Sequence, residues 1–154
     1  KKNEFFSQAY SGSDSKSSSE PEYPQKEPTD TSKFSITYLN AGEGTAYPTK
    51  GKQVKAHYTG TLLDGTKFDS SVDRGQPFSF KIGVGQVIKC WDEGMMKLKK
   101  GQKAILNCPP DIAYGSRGAG GAIPPNATLK FAVEMIDFDY DTKYFSLLWG
   151  FGVL

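Results

Sequence analysis

Aromatic side chains and one lone carboxylate recur in a few short segments of this chain and could together form a binding site. They are Tyr58, Phe68, Phe78, Trp91, Tyr114 and Phe131, with Asp69 as the carboxylate. Apolar walls with few polar groups suit a pocket that binds a compact hydrophobic ligand. The segments offer no plausible nucleophile, acid–base pair or metal ligands, so catalysis there would have to work by shape and desolvation. The alternative for each ring is a place in the core, where most buried aromatic residues simply pack.

The elements that must position these side chains are mostly β-strands. Residues 53–62 form a long candidate strand, in which Val54 and Tyr58 share one face because successive side chains alternate. The Asp-Gly pair at 64–65 predicts a tight hairpin, so residues 66–70 return as the partner strand. Further strands are predicted at residues 35–39, 78–82, 103–108 and 128–138.

One helix is predicted, at residues 87–98. Trp91, Met95 and Leu98 recur there at helical spacing. Gly101 follows as a helix stop. An antiparallel sheet wrapped on one short helix is an α+β fold. Periodicity alone predicts no finer topology than this.

Composition limits the classes of partner. A length of 154 residues fits one domain with extensions, and a formal net charge of +2 provides no strong field for nucleic acid. No apolar run reaches the roughly 20 residues that span a bilayer, so we expect no transmembrane segment. The sequence motifs predict neither a metal ion nor a cofactor.

The two cysteines, Cys90 and Cys108, are too few for a disulfide framework or a zinc site. We therefore expect reduced thiols in an intracellular protein, with the cytoplasm as the favoured compartment. An organelle is the alternative, because the chain begins at Lys1 rather than Met. A thiol at a helix N-terminus can be reactive, but the favoured interpretation of Cys90 is an inert, half-exposed side chain.

Two extensions of unusual composition flank the strand-rich region. Residues 1–31 are rich in Ser, Pro, Glu and Lys, which predicts a flexible N-terminal extension. Phe5, Phe6 and Tyr10 stand out there, either as an anchoring motif for a partner or by chance. Residues 139–154 are apolar and aromatic and would be adhesive if exposed. We expect them to dock on a partner protein; a membrane surface and packing on their own domain are the alternatives.

Five motifs occur in one order along the chain. They are Tyr-Thr-Gly at 58–60, Phe-Asp-Ser-Ser at 68–71, Val-Ile-x-x-Trp-x-Glu-Gly at 87–94, Ala-Tyr-Gly at 113–115 and Ile-Pro-Pro-x-Ala-Thr-Leu at 123–129. In this order they closely resemble FKBP domains, the macrolide-binding immunophilins, over residues 32–138. The resemblance implies an antiparallel half-barrel around one helix. It also implies peptidyl-prolyl cis/trans isomerase activity on proline-containing polypeptides, and binding of tacrolimus and rapamycin.

The resemblance also implies a role for each candidate residue. Trp91 would be the floor of a proline pocket, and its walls and contacts would be Tyr58, Phe68, Phe78, Val87, Ile88, Ile123 and Phe131. The backbone N–H of Ile88 and the hydroxyl of Tyr114 would bind substrate carbonyls. Asp69 would sit at the rim, acting on the twisted carbonyl or holding neighbouring groups. Tyr58, Asp69, Trp91 and Tyr114 are thus the predicted catalytic residues.

The loop after Tyr114 departs from many family members. Residues 115–122 are unusually small and glycine-rich. Ala119 and Ala122 stand where the family often has larger residues that close over the ligand. Glycine has extra backbone freedom, so we predict a more mobile and more open flap.

Two functions compete at this point. The first is an active prolyl isomerase acting on exposed X-Pro segments. The second is a proline-pocket binding module that serves as an accessory subunit of a larger assembly, held there by residues 1–31 and 139–154. The intact pocket residues favour the enzyme, whereas the two extensions favour the assembly role.

Overall fold

Six strands, two short helices and the turns between them form the part of the chain that the computed structural model describes, residues 21–139. The strands are β1 (Ser35–Tyr38), β2 (Gln53–Leu62), β3 (Lys67–Ser70), β4 (Phe78–Lys81), β5 (Lys103–Cys108) and β6 (Leu129–Phe138). The helices are α1 (Ser71–Arg74) and α2 (Lys89–Gly94), with 3₁₀ turns at Met95–Lys97 and Pro110–Ile112. Within the described residues, no helix is long and apolar enough to cross a membrane.

The strands form one antiparallel sheet in the order β1-β5-β6-β2-β3, and β4 also pairs with β2. One edge of β2 pairs with β6, while its other edge pairs first with β4 and then with β3. The helix α1 lies between β3 and β4 in the chain. There the hydroxyl of Ser71 accepts the backbone N–H of Tyr58 at 2.8 Å. Tyr58 therefore lies where this edge of β2 changes partners.

The core lies between one face of the sheet and α2. Val54 and Tyr58 of β2 are buried on that face, as their alternation predicts. The helix approaches β5 closely, because a Cβ on Gly94 would lie 3.3 Å from both methyl groups of Leu106. The predicted α+β fold, an antiparallel sheet wrapped on a short helix, is confirmed.

The predicted elements differ from the structure mainly at their ends. The α-helix covers only Lys89–Gly94, because Ile88 is extended (φ −60°, ψ 152°) and precedes it as the N-cap. The one-turn helix Ser71–Arg74 was not predicted. It is held by its caps: the hydroxyl of Ser70 accepts the N–H of Asp73, and Gly75 ends it in the left-handed conformation (φ 69°).

The expectation of reduced cysteines is wrong. Cys90 in α2 and Cys108 at the end of β5 form a disulfide, with Cα atoms 5.8 Å apart. Both residues are fully buried, so Cys90 is neither a half-exposed thiol nor a reactive one. The pairing depends on how α2 packs on the sheet, which the spacing of two cysteines in sequence does not reveal.

The described part of the N-terminal extension, residues 21–31, is attached to the sheet. The N–H of Gln25 donates to the carbonyl of Tyr38 at 2.8 Å, and the Gln25 side chain accepts the N–H of Tyr38 at 3.2 Å. Glu27 forms an ion pair with Lys130 at 2.8 Å. This segment thus departs from the flexible behaviour expected of it, and the domain boundaries stay a prediction.

The remaining predictions about the extensions concern residues outside the described part of the chain. The aromatic residues Phe5, Phe6 and Tyr10 lie outside the described residues. So do residues 140–154, which make up nearly all of the predicted apolar C-terminal extension.

Candidate active site

A hollow of about 180 Å³ opens beside the N-terminus of α2. Its lining residues are Tyr58, Phe78, Gln86, Val87, Ile88, Trp91, Tyr114 and Phe131. They come from β2, β4, β6, α2, the turn before α2 and the loop after β5. Sites for drug-sized ligands usually enclose about 300–1,000 Å³, so this hollow suits a smaller group such as a single saturated ring.

The indole of Trp91 lines the hollow and is only 4% exposed. The rings of Tyr58 and Phe131 meet it edge to face, with centroids at 4.8 Å and 5.2 Å. Such arrangements are favourable because the positive edge of one ring faces the negative face of the other. Trp91 Nε1 is buried and has no hydrogen-bond partner among the described residues. The lining of the hollow thus combines closely packed rings with a buried N–H group.

Two hydrogen-bond donors at the hollow have no acceptor within residues 21–139. The first is the N–H of Ile88, whose extended backbone at the N-cap of α2 leaves that group outside the helical ladder. The second is the hydroxyl of Tyr114, a side chain that is 41% exposed. A ligand that carries carbonyl groups can satisfy both donors.

The carboxylate of Asp69 does not line the hollow but is held by a network that includes Tyr58 of the lining. The Tyr58 hydroxyl donates to Asp69 Oδ2 at 2.5 Å, and the guanidinium of Arg74 donates to Asp69 Oδ1. Arg74 also donates to the Tyr58 hydroxyl at 3.1 Å and lies over the Tyr58 ring, 5.7 Å from its centroid. The backbone N–H of Ser70 adds a bond to Asp69 at 2.9 Å. The network fixes the phenol of Tyr58 relative to the hollow.

The protonation states of these groups follow from the same contacts. Burial alone would raise the pKa of Asp69, but hydrogen bonds from Tyr58 and Arg74 outweigh it and hold the pKa below its ordinary value. Burial raises the pKa of Tyr58, and its hydrogen bond to Asp69 adds to the effect. Burial and the charge of Asp69 raise the pKa of Tyr114 as well. Near neutral pH the site thus holds an ionised carboxylate and two neutral phenols.

The chemistry open to this arrangement is binding and desolvation. Among the described residues, no group of His, Cys, Asp and Glu side chains could hold a metal ion. The two cysteines that are described are joined to each other.

The family model of the FKBP-type peptidyl-prolyl cis-trans isomerases matches residues 44–136, which is more than half of the chain. The chain belongs to this isomerase family. It is 61% identical over 101 residues to the peptidyl-prolyl cis-trans isomerase Fkbp12 of Drosophila melanogaster, covering 66% of this chain and 94% of the relative. It is 57% identical over 103 residues to FK506-binding protein 1 of Dictyostelium discoideum, covering 67% and 95%. A peptidyl-prolyl cis-trans isomerase of Schizosaccharomyces pombe is 54% identical over 98 residues, covering 64% and 88%.

Most of the predicted site residues of this FKBP-type isomerase line the hollow. They are Tyr58, Phe78, Val87, Ile88, Trp91, Tyr114 and Phe131. Three others do not line it. Phe68 packs edge to face against Phe131 at 5.6 Å, Asp69 is linked through Tyr58, and Ile123 is buried at 6% exposure. The functional roles of all ten residues stay predictions.

Sequence reasoning missed two residues of the isomerase site. Gln86 lines the hollow, and its side chain accepts the N–H of Lys81 at 2.8 Å. The sequence indicates that Gln86 belongs to the site only by its position directly before Val87. Arg74 lies five residues after Asp69, a spacing that brings them together only because α1 forms between them.

Proposed function

We propose that this isomerase accelerates rotation about X-Pro peptide bonds by holding proline, without a covalent bond, in the hollow above Trp91. The observation that carries the proposal is the ring-lined hollow of about 180 Å³ with the unpartnered N–H of Ile88 beside it. A proline ring is compact and apolar, and the carbonyl groups next to it are acceptors for such a donor.

The chemistry of amide rotation explains how such a hollow can catalyse. A planar amide resists rotation with a barrier of about 18–20 kcal/mol, and X-Pro bonds exchange over tens to hundreds of seconds. In the twisted transition state the nitrogen lone pair leaves resonance and the carbonyl becomes less dipolar. Water stabilises the planar form better than the twisted form, so a dry site favours the transition state. Each 1.4 kcal/mol by which the site stabilises the transition state over the planar form increases the rate about tenfold.

The geometry of the hollow supports a role for each of its residues. Trp91 supports the proline ring from below, while Tyr58, Phe78 and Phe131 exclude water from its sides. Val87 extends the apolar wall. The N–H of Ile88 and the hydroxyl of Tyr114 bind carbonyl groups on either side of the rotating bond, and so fix the peptide while one part of it turns.

Asp69 has the role of holding neighbouring groups. Both of its oxygens already accept hydrogen bonds, from Tyr58 on one side and from Arg74 and Ser70 on the other. These contacts support a positioning role over direct action on the twisted carbonyl. No proton transfer is assigned to Asp69, because amide rotation needs none.

Macrolides of the tacrolimus and rapamycin type are the second class of ligand that we propose. The relative in Dictyostelium discoideum is named for FK506 binding. We propose that such a macrolide binds in the same hollow as proline. Phe68 and Ile123 would support the ligand without lining the hollow. Phe68 would do so by packing against Phe131, and Ile123 from its place at the end of the flap.

A prolyl-peptide isomerisation assay with and without FK506 tests the proposal. We expect the full chain to accelerate cis/trans exchange, FK506 to abolish the acceleration, and Trp91→Ala to remove most of it. A purified, folded chain that leaves prolyl peptides at their spontaneous rate would overturn the proposal.

Assembly and location are the finer points. An accessory-subunit role through residues 1–31 and 139–154 is the alternative function, and copurification of partners with the native chain tests it.

The location of the protein is a separate question. The prediction of the cytoplasm depends on reduced thiols, and the Cys90–Cys108 disulfide removes that argument. Because disulfides persist in oxidising compartments, an organelle is now the favoured location of the two. Alkylation of free thiols in the native source, followed by mass measurement, tests this.

A further inference from the structure

The disulfide joins two segments that each carry part of the site. Cys90 lies two residues after Ile88 and directly before Trp91. Cys108 ends β5 and leads through the turn Pro110–Ile112 to Tyr114. The covalent link therefore spans from the segment with the Ile88 N–H to the segment with the Tyr114 hydroxyl.

Hydrogen bonds and ion pairs do not connect the two segments in the described part of the chain. Within the described residues, no hydrogen bond or ion pair joins residues 86–94 to residues 108–118. The hydrogen bonds of the Tyr114 loop do not reach α2: the N–H groups of Ala113 and Gly115 both donate to the carbonyl of Pro110, and the carbonyl of Gly115 accepts the N–H of Asn126. The N-cap of α2 has no side-chain hydrogen bond. Apart from packing, the disulfide is what fixes one donor relative to the other.

Two donors that act on one peptide must keep a defined separation. Hydrogen bonds weaken steeply outside a narrow range of distance and angle. A misplacement of about 1 Å in a site can cost on the order of 100-fold in rate. A crosslink that limits motion between the segments therefore affects ligand binding as well as folding.

From this juxtaposition we infer that Cys90 and Cys108 are positioning residues for prolyl ligands, acting through Ile88 and Tyr114. The inference rests on the proposed function, which gives those two groups their role as carbonyl donors. The oxidised chain binds prolyl ligands more tightly than the reduced chain. Reduction by a dithiol breaks the S–S bond, gives two Cys thiols with two electrons and two protons, and leaves the dithiol as a disulfide. Because both sulfurs are buried, this exchange needs the site to open first.

The experiment measures FK506 binding and prolyl-peptide kinetics on the full chain in three forms. They are the oxidised chain, the double variant Cys90→Ala/Cys108→Val and the control Val54→Ala. The double variant keeps apolar side chains but removes the link. Val54 is fully buried and does not line the hollow, so its truncation loosens the core while the link between the two segments stays intact.

We expect Kd for FK506 and KM for the peptide to rise roughly tenfold in the double variant, a loss of about 1.4 kcal/mol. The Val54→Ala control should keep both constants near those of the oxidised chain, although its melting temperature falls. The backbone amide NMR signals of Ile88 and Tyr114 should broaden in the double variant and stay sharp in the control. If the double variant does not fold, the wild-type chain reduced under native conditions replaces it in the comparison.

Three results would overturn the inference. They are an unchanged Kd in the folded double variant, an equal rise of Kd in Val54→Ala, and free thiols in the chain as isolated. A failure of the proposed function is recognised separately, because the oxidised wild-type chain would then neither bind FK506 nor accelerate isomerisation. That result would overturn the positioning role together with the activity.

Discussion

A charged residue that contacts the lining of the hollow already has its charge compensated. Asp69 is bonded to Tyr58 and Arg74, and these bonds lower its pKa. The pKa of Tyr58 is raised by burial and by that same bond. Neither group changes its charge near neutral pH, so the network can orient the Tyr58 ring without taking part in proton exchange.

This network predicts that kcat/KM does not change with pH near neutrality. Because the pKa of Asp69 is lower in the folded chain, ionised Asp69 stabilises the fold above about pH 4, and this contribution is lost as the pH falls further. The Tyr58 phenol has a raised pKa, so its neutral form persists beyond about pH 10. We therefore expect kcat/KM to be constant between about pH 5 and pH 9. Stopped-flow isomerisation across this range checks it, and a bell-shaped profile centred near pH 7 would contradict it.

Gly60 determines how closely the rings behind the hollow can pack. A Cβ at this position would lie 2.5 Å from Phe68 and 2.9 Å from Phe131, so Gly60→Ala must displace both rings. We expect a loss of about 1–3 kcal/mol in the free energy of unfolding and weaker FK506 binding. Denaturant unfolding and FK506 titration measure these effects.

Gly121→Ala is the matched control for this substitution. Gly121 does not have a positive φ, and a Cβ there would meet nothing within 4 Å. The same added methyl group should leave the free energy of unfolding unchanged or raise it by less than about 1 kcal/mol. Equal losses in the two variants would show that ring packing around Gly60 is not the cause.

The flap after Tyr114 combines glycine-rich sequence with a defined backbone. Ala119 and Ile123 exchange two backbone hydrogen bonds, at 2.9 Å and 3.1 Å, and Gly118 and Gly120 have positive φ values of 69° and 53°. We predict that amides of residues 115–122 exchange with solvent faster than those of β6 and slow markedly when FK506 binds. Hydrogen-exchange mass spectrometry measures both. Protection equal to that of β6 in the free chain would show that the flap is rigid.

Local patterns in the sequence predict the strands well and the helix less well. The alternation of Val54 and Tyr58 and the Asp-Gly turn after Leu63 both specify β2 and its hairpin, because they depend only on neighbouring residues. The α-helix is shorter than its apolar spacing predicts, because Ile88 takes an extended conformation as its N-cap.

Features that depend on packing between distant elements could not be predicted in this way. Residue type and a family resemblance identify the rings of the hollow in the sequence. That these rings surround one hollow depends on how β2, β6 and α2 pack together. Arg74 reaches Asp69 only through a one-turn helix that its caps stabilise. The Cys90–Cys108 disulfide likewise forms only where α2 lies against β5. Because the sequence does not reveal this disulfide, it predicts the wrong redox state for the two cysteines.

The sheet also holds a segment that composition alone predicts to be flexible. Asn107 of β5 is 4% exposed, and its Nδ2 donates to the carbonyls of Thr31 and Lys33, both at 2.8 Å. Together with the Glu27–Lys130 ion pair, these bonds attach residues 21–31 to the isomerase domain. Residues 21–31 of the N-terminal extension are thus held on the sheet by these bonds.

Asn107→Ala tests this attachment in the full chain. We expect it to lower the free energy of unfolding by about 1–3 kcal/mol, because two carbonyls lose their buried donor. Limited proteolysis within residues 21–31 should become faster, while kcat/KM stays unchanged, since Asn107 does not line the hollow. The control Glu27→Gln removes only a partly exposed ion pair and should cost less than about 1 kcal/mol. If cleavage in Asn107→Ala is no faster than in the wild-type chain, then Asn107 does not hold the segment on the sheet.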